Sequence, residues 1–330
     1  MNFQQLKYIR AAVRNDLNLT EVANSLHTSQ SGVSKQIREL EIELGIEIFV
    51  RRGKRLVGLT KAGEGAVRLV ERVLSETENL KRYSKQFTGQ DRGRLVIATT
   101  HNQARYVLPR VLARFARQYP DVELEIRQGT PQDAAQAVTR GVADIALATE
   151  ALDRFAELHS VSCFSWRHVA IVPAGHPLTR LAAPGFADLA AHPLITYSPE
   201  FSGRARIDDA FVREGLTPDI RLTAMDADVI KTYVGMEMGV GIISELAIGP
   251  LSQTGLEVLP ADNLVFEPCT TKIAFLRGAV LPNYIRHLIE MFAPHLEGED
   301  FERPSMPADL PVFAERTDLQ AWTLAAMAAE

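Results

Sequence analysis

Between Ser29 and Gly45 the chain carries a pattern that few folds can use. Val33, Ile37, Leu40 and Leu44 step by four, three and four, which predicts an apolar stripe along a helix that Gly45 ends. Ser31, Ser34, Lys35 and Arg38 recur at i, i+3, i+4 and i+7 on the opposite side, with Gln30 at the N-terminal tip. One face is built for a core, the other for hydrogen bonding and positive charge.

The residues on either side give this helix its context. Phe3, Leu6, Ile9 and Val13 recur at helical spacing until Asn15 to Asn18 break the pattern. Thr20 is then expected to cap a short second helix burying Val22, Ala23 and Leu26, and His27-Thr28-Ser29 to form a turn that supplies the next cap. Two helices, a tight turn and a polar-faced third helix match a helix-turn-helix, in which the start of the last helix reaches base edges in the major groove. A plain three-helix subdomain with a solvated charged face would show a similar stripe. The segment from Phe49 to Thr60 argues against that: it reads as two short strands around a turn at Gly53, with Arg51, Arg52, Lys54 and Arg55 at the tip. Four crowded cations repel one another unless a polyanion neutralises them, so this hairpin reads as a wing contacting phosphate or the minor groove.

Charge is divided accordingly. The net charge is -5, but residues 1 to 92 hold 16 Lys and Arg against 11 Asp and Glu, and the remainder holds 20 against 30. A basic head joined to an acidic body suggests one part that meets phosphate and one that does not.

Beyond the wing, Ala66, Leu69, Val73, Leu80, Tyr83 and Phe87 alternate by threes and fours, with Glu76 where another apolar residue is due. A long helix of this kind is expected to dimerise; packing on its own chain is the alternative. Residues 89 to 93 read as a hinge.

From Arg94 short apolar strands alternate with amphipathic helices, predicting a mostly parallel sheet covered by helices, followed by a second set of the same kind. Ligands of such sheets sit beyond the carboxyl ends of the strands. Those ends are rich in hydroxyl and amide groups: Thr99-Thr100-His101-Asn102-Gln103 after one strand, Thr149-Glu150 after another, and Tyr197 to Arg204, with Ser202, after a third. Such donors at helix starts suit a small oxyanion, although Ser and Thr also cap helices for purely structural reasons. The chain has no glycine-rich phosphate loop, so a nucleotide is a poor candidate. His101 beside Thr100 invites a catalytic reading, but no Gly-x-Ser-x-Gly or His-Glu-x-x-His run completes it, and no enzyme is expected.

Cys163 and Cys269 are the only cysteines, too few for a disulfide framework or a thiolate-rich zinc site. With no apolar signal core and no run of membrane-spanning length, the chain is expected to be soluble and cytoplasmic, with no membrane partner.

Val22-Ala23 through Leu44-Gly45, then Gly45-Ile46-x-Ile48-Phe49-x-Arg51 and Leu59-Thr60-x-Ala62-Gly63, resemble the DNA-binding domain of LysR-type transcriptional regulators. A narrower resemblance, to the CysB branch of that family with its relative Cbl, runs through almost the whole chain. It is carried by Ile97 to Tyr106, Ala148 to Leu152, Phe201-x-Gly203-Arg204, Asp226 to Val234, Thr270 to Ile273 and Phe292 to Leu296.

The resemblance implies an α/β fold with an N-terminal winged helix-turn-helix over 1–59, a linker and dimerisation helix over 60–88 and a hinge over 89–93. It implies a two-lobed, periplasmic-binding-protein-like effector domain over 94–297, with lobe I formed by 94–165 and 268–297 and lobe II by 166–267. A tail fills 298–330, where Leu319 to Ala329 could form a last helix. It further implies a homotetrameric activator (a dimer of dimers) that binds promoter DNA, works with RNA polymerase and controls sulfur-assimilation or cysteine-biosynthesis genes. No cofactor is implied, only a small anionic effector such as sulfate, thiosulfate, an acetylserine or adenylyl sulfate. Its effector residues carry over to Thr100, Gln103, Thr149 and Trp166; Asn102 and Ser202 stand where that branch usually has threonine. A regulator of another pathway, or a two-lobed solute-binding protein, would share parts of this pattern.

Overall fold

A computed structural model describes residues 1–53, 55–86, 92–248, 255–260 and 262–296. The chain divides into two compact units, Met1–Gln90 with Ala279–Pro282, and Asp91–Gly278 with Asn283–Glu330.

In the first unit α1 (Phe3–Arg14), α2 (Leu19–Ser25) and α3 (Gln30–Leu44) precede a hairpin of β1 (Phe49–Arg52) and β2 (Arg55–Leu59), then α4 (Lys61–Gln86). Asn2 closes a capping box with Gln5 at the start of α1. Asn18, rather than Thr20, caps α2: its side chain accepts the N–H groups of Thr20 and Glu21. Asn18 immediately precedes the helix, and its short amide side chain competes well for free N–H groups. Ser29 caps α3 by accepting the N–H of Gly32, and α3 stops at Gly45.

Leu6, Ile9, Val22, Val33, Ile37, Leu40, Ile48, Phe49, Val70 and Leu74 share one core. The α3 stripe departs from expectation at its end, because Leu44 is 42% exposed and Glu41 takes the inward place. Both carboxylate oxygens of Glu41 are used: Oε1 accepts the N–H groups of Ile48 and Phe49, and Oε2 meets Arg51 at 2.9 Å. A buried carboxylate is tolerable only when satisfied in this way, and here it ties the wing to α3. Gly63 is equally constrained, since a Cβ there would stand 1.9 Å from the Ile48 carbonyl oxygen. Phe87 and residues 89–91 of the expected hinge lie outside the described residues, and Gly93 already belongs to a strand.

The second unit holds two five-stranded sheets. The lobe I sheet runs β4 (Val122–Gln128), β3 (Gly93–Thr99), β5 (Ile145–Ala148), β12 (Cys269–Leu276), β6 (Leu158–Trp166). In lobe II the order is β11 (Leu256–Val258), β7 (His168–Pro173), β10 (Val240–Ser244), β8 (Leu194–Tyr197), β9 (Ile220–Ala224). Both sheets are mixed, which corrects the expectation of mostly parallel ones. In lobe I β3 pairs parallel with β4 and β5, whereas β12 is antiparallel to β5 and β6. In lobe II β10–β8 and β8–β9 are parallel, and β7 runs against β10 and β11. In lobe I, β12 returns after a long excursion through lobe II, so no short helix crossover forces it parallel.

Helices α5 (Leu108–Gln118), α6 (Pro131–Thr139), α7 (Phe186–Ala190), α8 (Ser202–Arg213), α9 (Ala227–Gly235) and α10 (Asn283–Phe292) complete the unit. A π-helical turn over Gln103–Val107 leads into α5. Residues 297–330, including the expected last helix, lie outside the described residues.

Candidate functional site

The first unit presents the outward face of α3. Gln30, Ser31, Lys35 and Arg38 are exposed and Ser34 is half-buried, while Val33, Ile37 and Leu40 hold the opposite face in the core. Lys35 lies 3.7 Å from Glu39, one turn on, a pair too exposed to immobilise it. On the wing Arg52 and Arg55 are exposed and directly paired across the hairpin, and Arg51 is turned onto Glu41. Lys54 lies outside the described residues. The sequence signal for the Glu41–Arg51 tie is a charged residue falling on the edge of an apolar stripe.

In the second unit strand direction gathers residues far apart in the chain. The carboxyl ends of β3 and β5 deliver Thr100 and Thr149 to one edge of the lobe I sheet. Because β12 runs antiparallel to β5, its beginning, with Thr271, lies at that edge, and so does the end of β6, with Trp166. Gln103 Nε2 donates to Thr271 Oγ1 at 2.8 Å, and Trp166 Nε1 donates to the same oxygen at 3.0 Å. Thr271 thus joins two residues expected at the site, a junction that sequence spacing could not reveal. All five side chains are buried. The Gln103 carbonyl oxygen is buried without a hydrogen-bond partner, an acceptor that only a donor such as an ordered water can meet.

Not every hydroxyl at a strand end is available. Thr99 Oγ1 donates to the Leu147 carbonyl and Thr196 Oγ1 to that of Ile242, so both serve the sheets. Ser202 opens α8, whose N-cap Phe201 makes no side-chain cap bond. Asn102 reaches across to lobe II, donating from Nδ2 to the Tyr197 phenol oxygen at 2.9 Å and accepting the Ala227 N–H at 3.4 Å.

His168, under this site, is fully enclosed and neither ring nitrogen has a partner. It lies edge-on to Trp166, Tyr197 and Phe266, and burial pushes its pKa down to about 3, so it is neutral. Gly203 lets α8 approach it: a Cβ at that position would sit 2.9 Å from His168 Nε2.

Beside the site the lobes share a charged cluster. Asp228 accepts from the Tyr106 phenol and meets Lys231 at 2.8 Å, His101 Nε2 at 3.3 Å and Arg105 at 3.7 Å. Burial opposes its ionisation, but hydrogen bonds from Lys231, Tyr106 and His101 outweigh that and hold the carboxyl down at about 2. His101 is held between Asp228 and Gln128, 3.1 Å from its Nδ1, and activates no nucleophile. His101, Asp226 and Asp228 offer ligand atoms within 4.8 Å of one another, but Lys231 and Arg105 already supply the positive charge there, and Asp226 caps α9.

Residues 3–64 match the bacterial regulatory helix-turn-helix protein family of the lysR type, and residues 88–297 match the LysR substrate binding domain. The chain is a LysR-type transcriptional regulator. It is 52% identical over 296 residues to the HTH-type transcriptional regulator SsuR of Burkholderia cenocepacia, covering 90% of this chain and 96% of that protein. It is 48% identical to CysB of the same organism, over 92% of this chain and 96% of that one, and 48% identical to Cbl of Escherichia coli, over 93% and 96%.

The crystal structure of the cofactor-binding domain of Cbl superposes with a TM-score of 0.60 at 41% identity, covering 64% of this chain and 91% of that chain. A full-length OxyR variant from Pseudomonas aeruginosa shares the fold at 20% identity, with a TM-score of 0.68 over 92% of this chain and all of that one. Within the family the regulator groups with CysB, Cbl and SsuR, and it is a transcriptional regulator rather than an enzyme. Its helix-turn-helix sets aside the solute-binding-protein alternative. Its C-terminal body is an effector-binding domain of this family. No helix among the described residues is long and apolar enough to cross a membrane.

Proposed function

We propose that this regulator activates sulfur-assimilation, cysteine-biosynthesis or organosulfur-utilisation genes in the cytoplasm in response to a small anion bound between its lobes. The observation that carries the reading is the convergence of Thr100, Gln103, Thr149 and Trp166 at one sheet edge of lobe I. Neutral hydroxyls such as those of Thr100 and Thr149 favour reversible anion binding, which a sensor needs, while Gln103 and Trp166 are fixed on Thr271. Sulfate, thiosulfate, an acetylserine or adenylyl sulfate is the effector, and Ser202, whose side chain lies outside the described residues, is included by residue type.

Gln30, Ser31, Ser34, Lys35 and Arg38 read promoter DNA, and Arg52, Lys54 and Arg55 hold its backbone. Arg51 secures the wing through Glu41. Along α4 the exposed Leu69, Val73 and Leu80 form the seam between two copies, and two such dimers make a homotetramer that engages RNA polymerase. The effector shifts the lobes toward one arrangement and so repositions the DNA-binding heads. Footprinting and transcription with and without each effector test this. The footprint is expected to change with at least one, and an unchanged footprint and transcript level across the panel would overturn it.

A further inference from the structure

Both ends of the Asn102 amide are spent on lobe II. Its Nδ2 donates to the Tyr197 phenol oxygen, and its Oδ1 accepts the Ala227 N–H. A backbone N–H can only donate, so it sets which way round the amide lies. The Ser244 N–H donates to the same phenol oxygen at 2.9 Å. Tyr197 therefore accepts two hydrogen bonds, which fill its lone pairs and direct its own hydrogen elsewhere. Tyr197 is 3% exposed, and the hydrogen bonds its hydroxyl makes to described residues are both accepted ones. A buried donor without an acceptor is costly. An unspent buried hydroxyl hydrogen beside Asn102 marks a place that an acceptor oxygen of a ligand completes. Burial also holds the phenol pKa far above its ordinary range, so the hydrogen stays in place.

We propose that Tyr197 is an effector-recognition residue whose phenol donates its hydrogen to an acceptor oxygen of the anion, and that Asn102 is the positioning residue that aims it. This rests on the anion-sensing reading above. It also gives the asparagine a purpose: its amide carries a donor and an acceptor on separate atoms, so it holds Tyr197 and the N-terminal turn of α9 together.

Calorimetric titration of the full chain with sulfate and with thiosulfate tests the proposal. Tyr197→Phe is expected to weaken whichever oxyanion the unaltered protein binds by roughly 10- to 100-fold, the range for a hydrogen bond to a charged acceptor. Replacing Tyr197 by 3-fluorotyrosine, which keeps the ring and strengthens donation, is expected to tighten it. Asn102→Ala is expected to weaken binding less, and to shrink the further effect of Tyr197→Phe in a double-mutant cycle, which a purely structural asparagine would not do. Wild-type affinity in folded Tyr197→Phe, or weaker binding by the fluorotyrosine protein, overturns the inference and leaves the anion reading standing. If the unaltered protein binds neither oxyanion, the inference fails, and the footprinting across the full effector panel decides the anion reading separately. Should Tyr197→Phe not fold, the fluorotyrosine titration decides alone.

Discussion

At the residue scale, the site depends on groups that satisfy one another where water is excluded. Gly203 shows how little slack there is. A methyl group there would meet His168 Nε2 at 2.9 Å and Cε1 at 3.1 Å, and the ring is held by Trp166, Tyr197 and Phe266. Gly203→Ala is expected to cost about 1–3 kcal/mol, as overpacking of a filled interior does, and to displace the first turn of α8. Urea unfolding measures the first effect and effector affinity the second. The Phe201-x-Gly203-Arg204 run was legible as a resemblance, but its physical basis was not, because His168 lies thirty-five residues away in the chain.

At the element scale, α3 and the wing act through their exposed faces, and α4 divides its apolar residues between two partners. Arg52→Ala and Arg55→Ala are each expected to weaken DNA binding similarly across sequences. Each should lower the slope of log affinity against log salt by about 1, as loss of one phosphate contact does. Fluorescence anisotropy over a salt series checks this, and an unchanged slope would remove the wing from the interface. On α4, Val70 and Leu74 are buried in the first unit's own core, while Leu69, Val73 and Leu80 are 59%, 44% and 68% exposed. Leu69→Asp with Leu80→Asp is expected to leave the fold intact and shift sedimentation toward the monomer. The spacing left pairing and self-packing as alternatives; in the fold, the inner row packs on its own chain and the outer row stays exposed. Periodicity finds an apolar stripe, but it does not say how many partners share a helix.

At the scale of the whole effector unit, Asp228 ties the π-turn of lobe I to α9 of lobe II. Its folded pKa of about 2 lies below the ordinary carboxyl value. The unfolded chain therefore takes up the proton first as pH falls, and the cluster's contribution to stability is lost on the way down through about pH 2. Above about pH 4 that contribution is fully present. Asp228→Asn is thus expected to melt at a lower temperature than the unaltered protein at pH 7, with the gap closing as both approach pH 2. Differential scanning calorimetry over that range checks it, and a gap independent of pH would assign the loss to packing.

The sequence alone determined the helix-turn-helix, the wing, the long helix and the two α/β lobes. Each is a matter of local periodicity, capping and charge, which a few neighbouring residues decide. It also pointed to Thr100, Gln103 and Thr149, because polar groups after apolar strands are visible in one dimension. Tertiary structure alone decided that β12 returns antiparallel, bringing Thr271 between Gln103 and Trp166, and that Glu41 fills a core position to hold Arg51. It likewise decided that Asn102 spends its amide on Tyr197 and Ala227 across the lobes. These pairings join residues tens to more than a hundred positions apart in some cases, and strand order and direction bring them together. No local pattern encodes that order, because it is settled by which buried faces and polar groups satisfy each other at once.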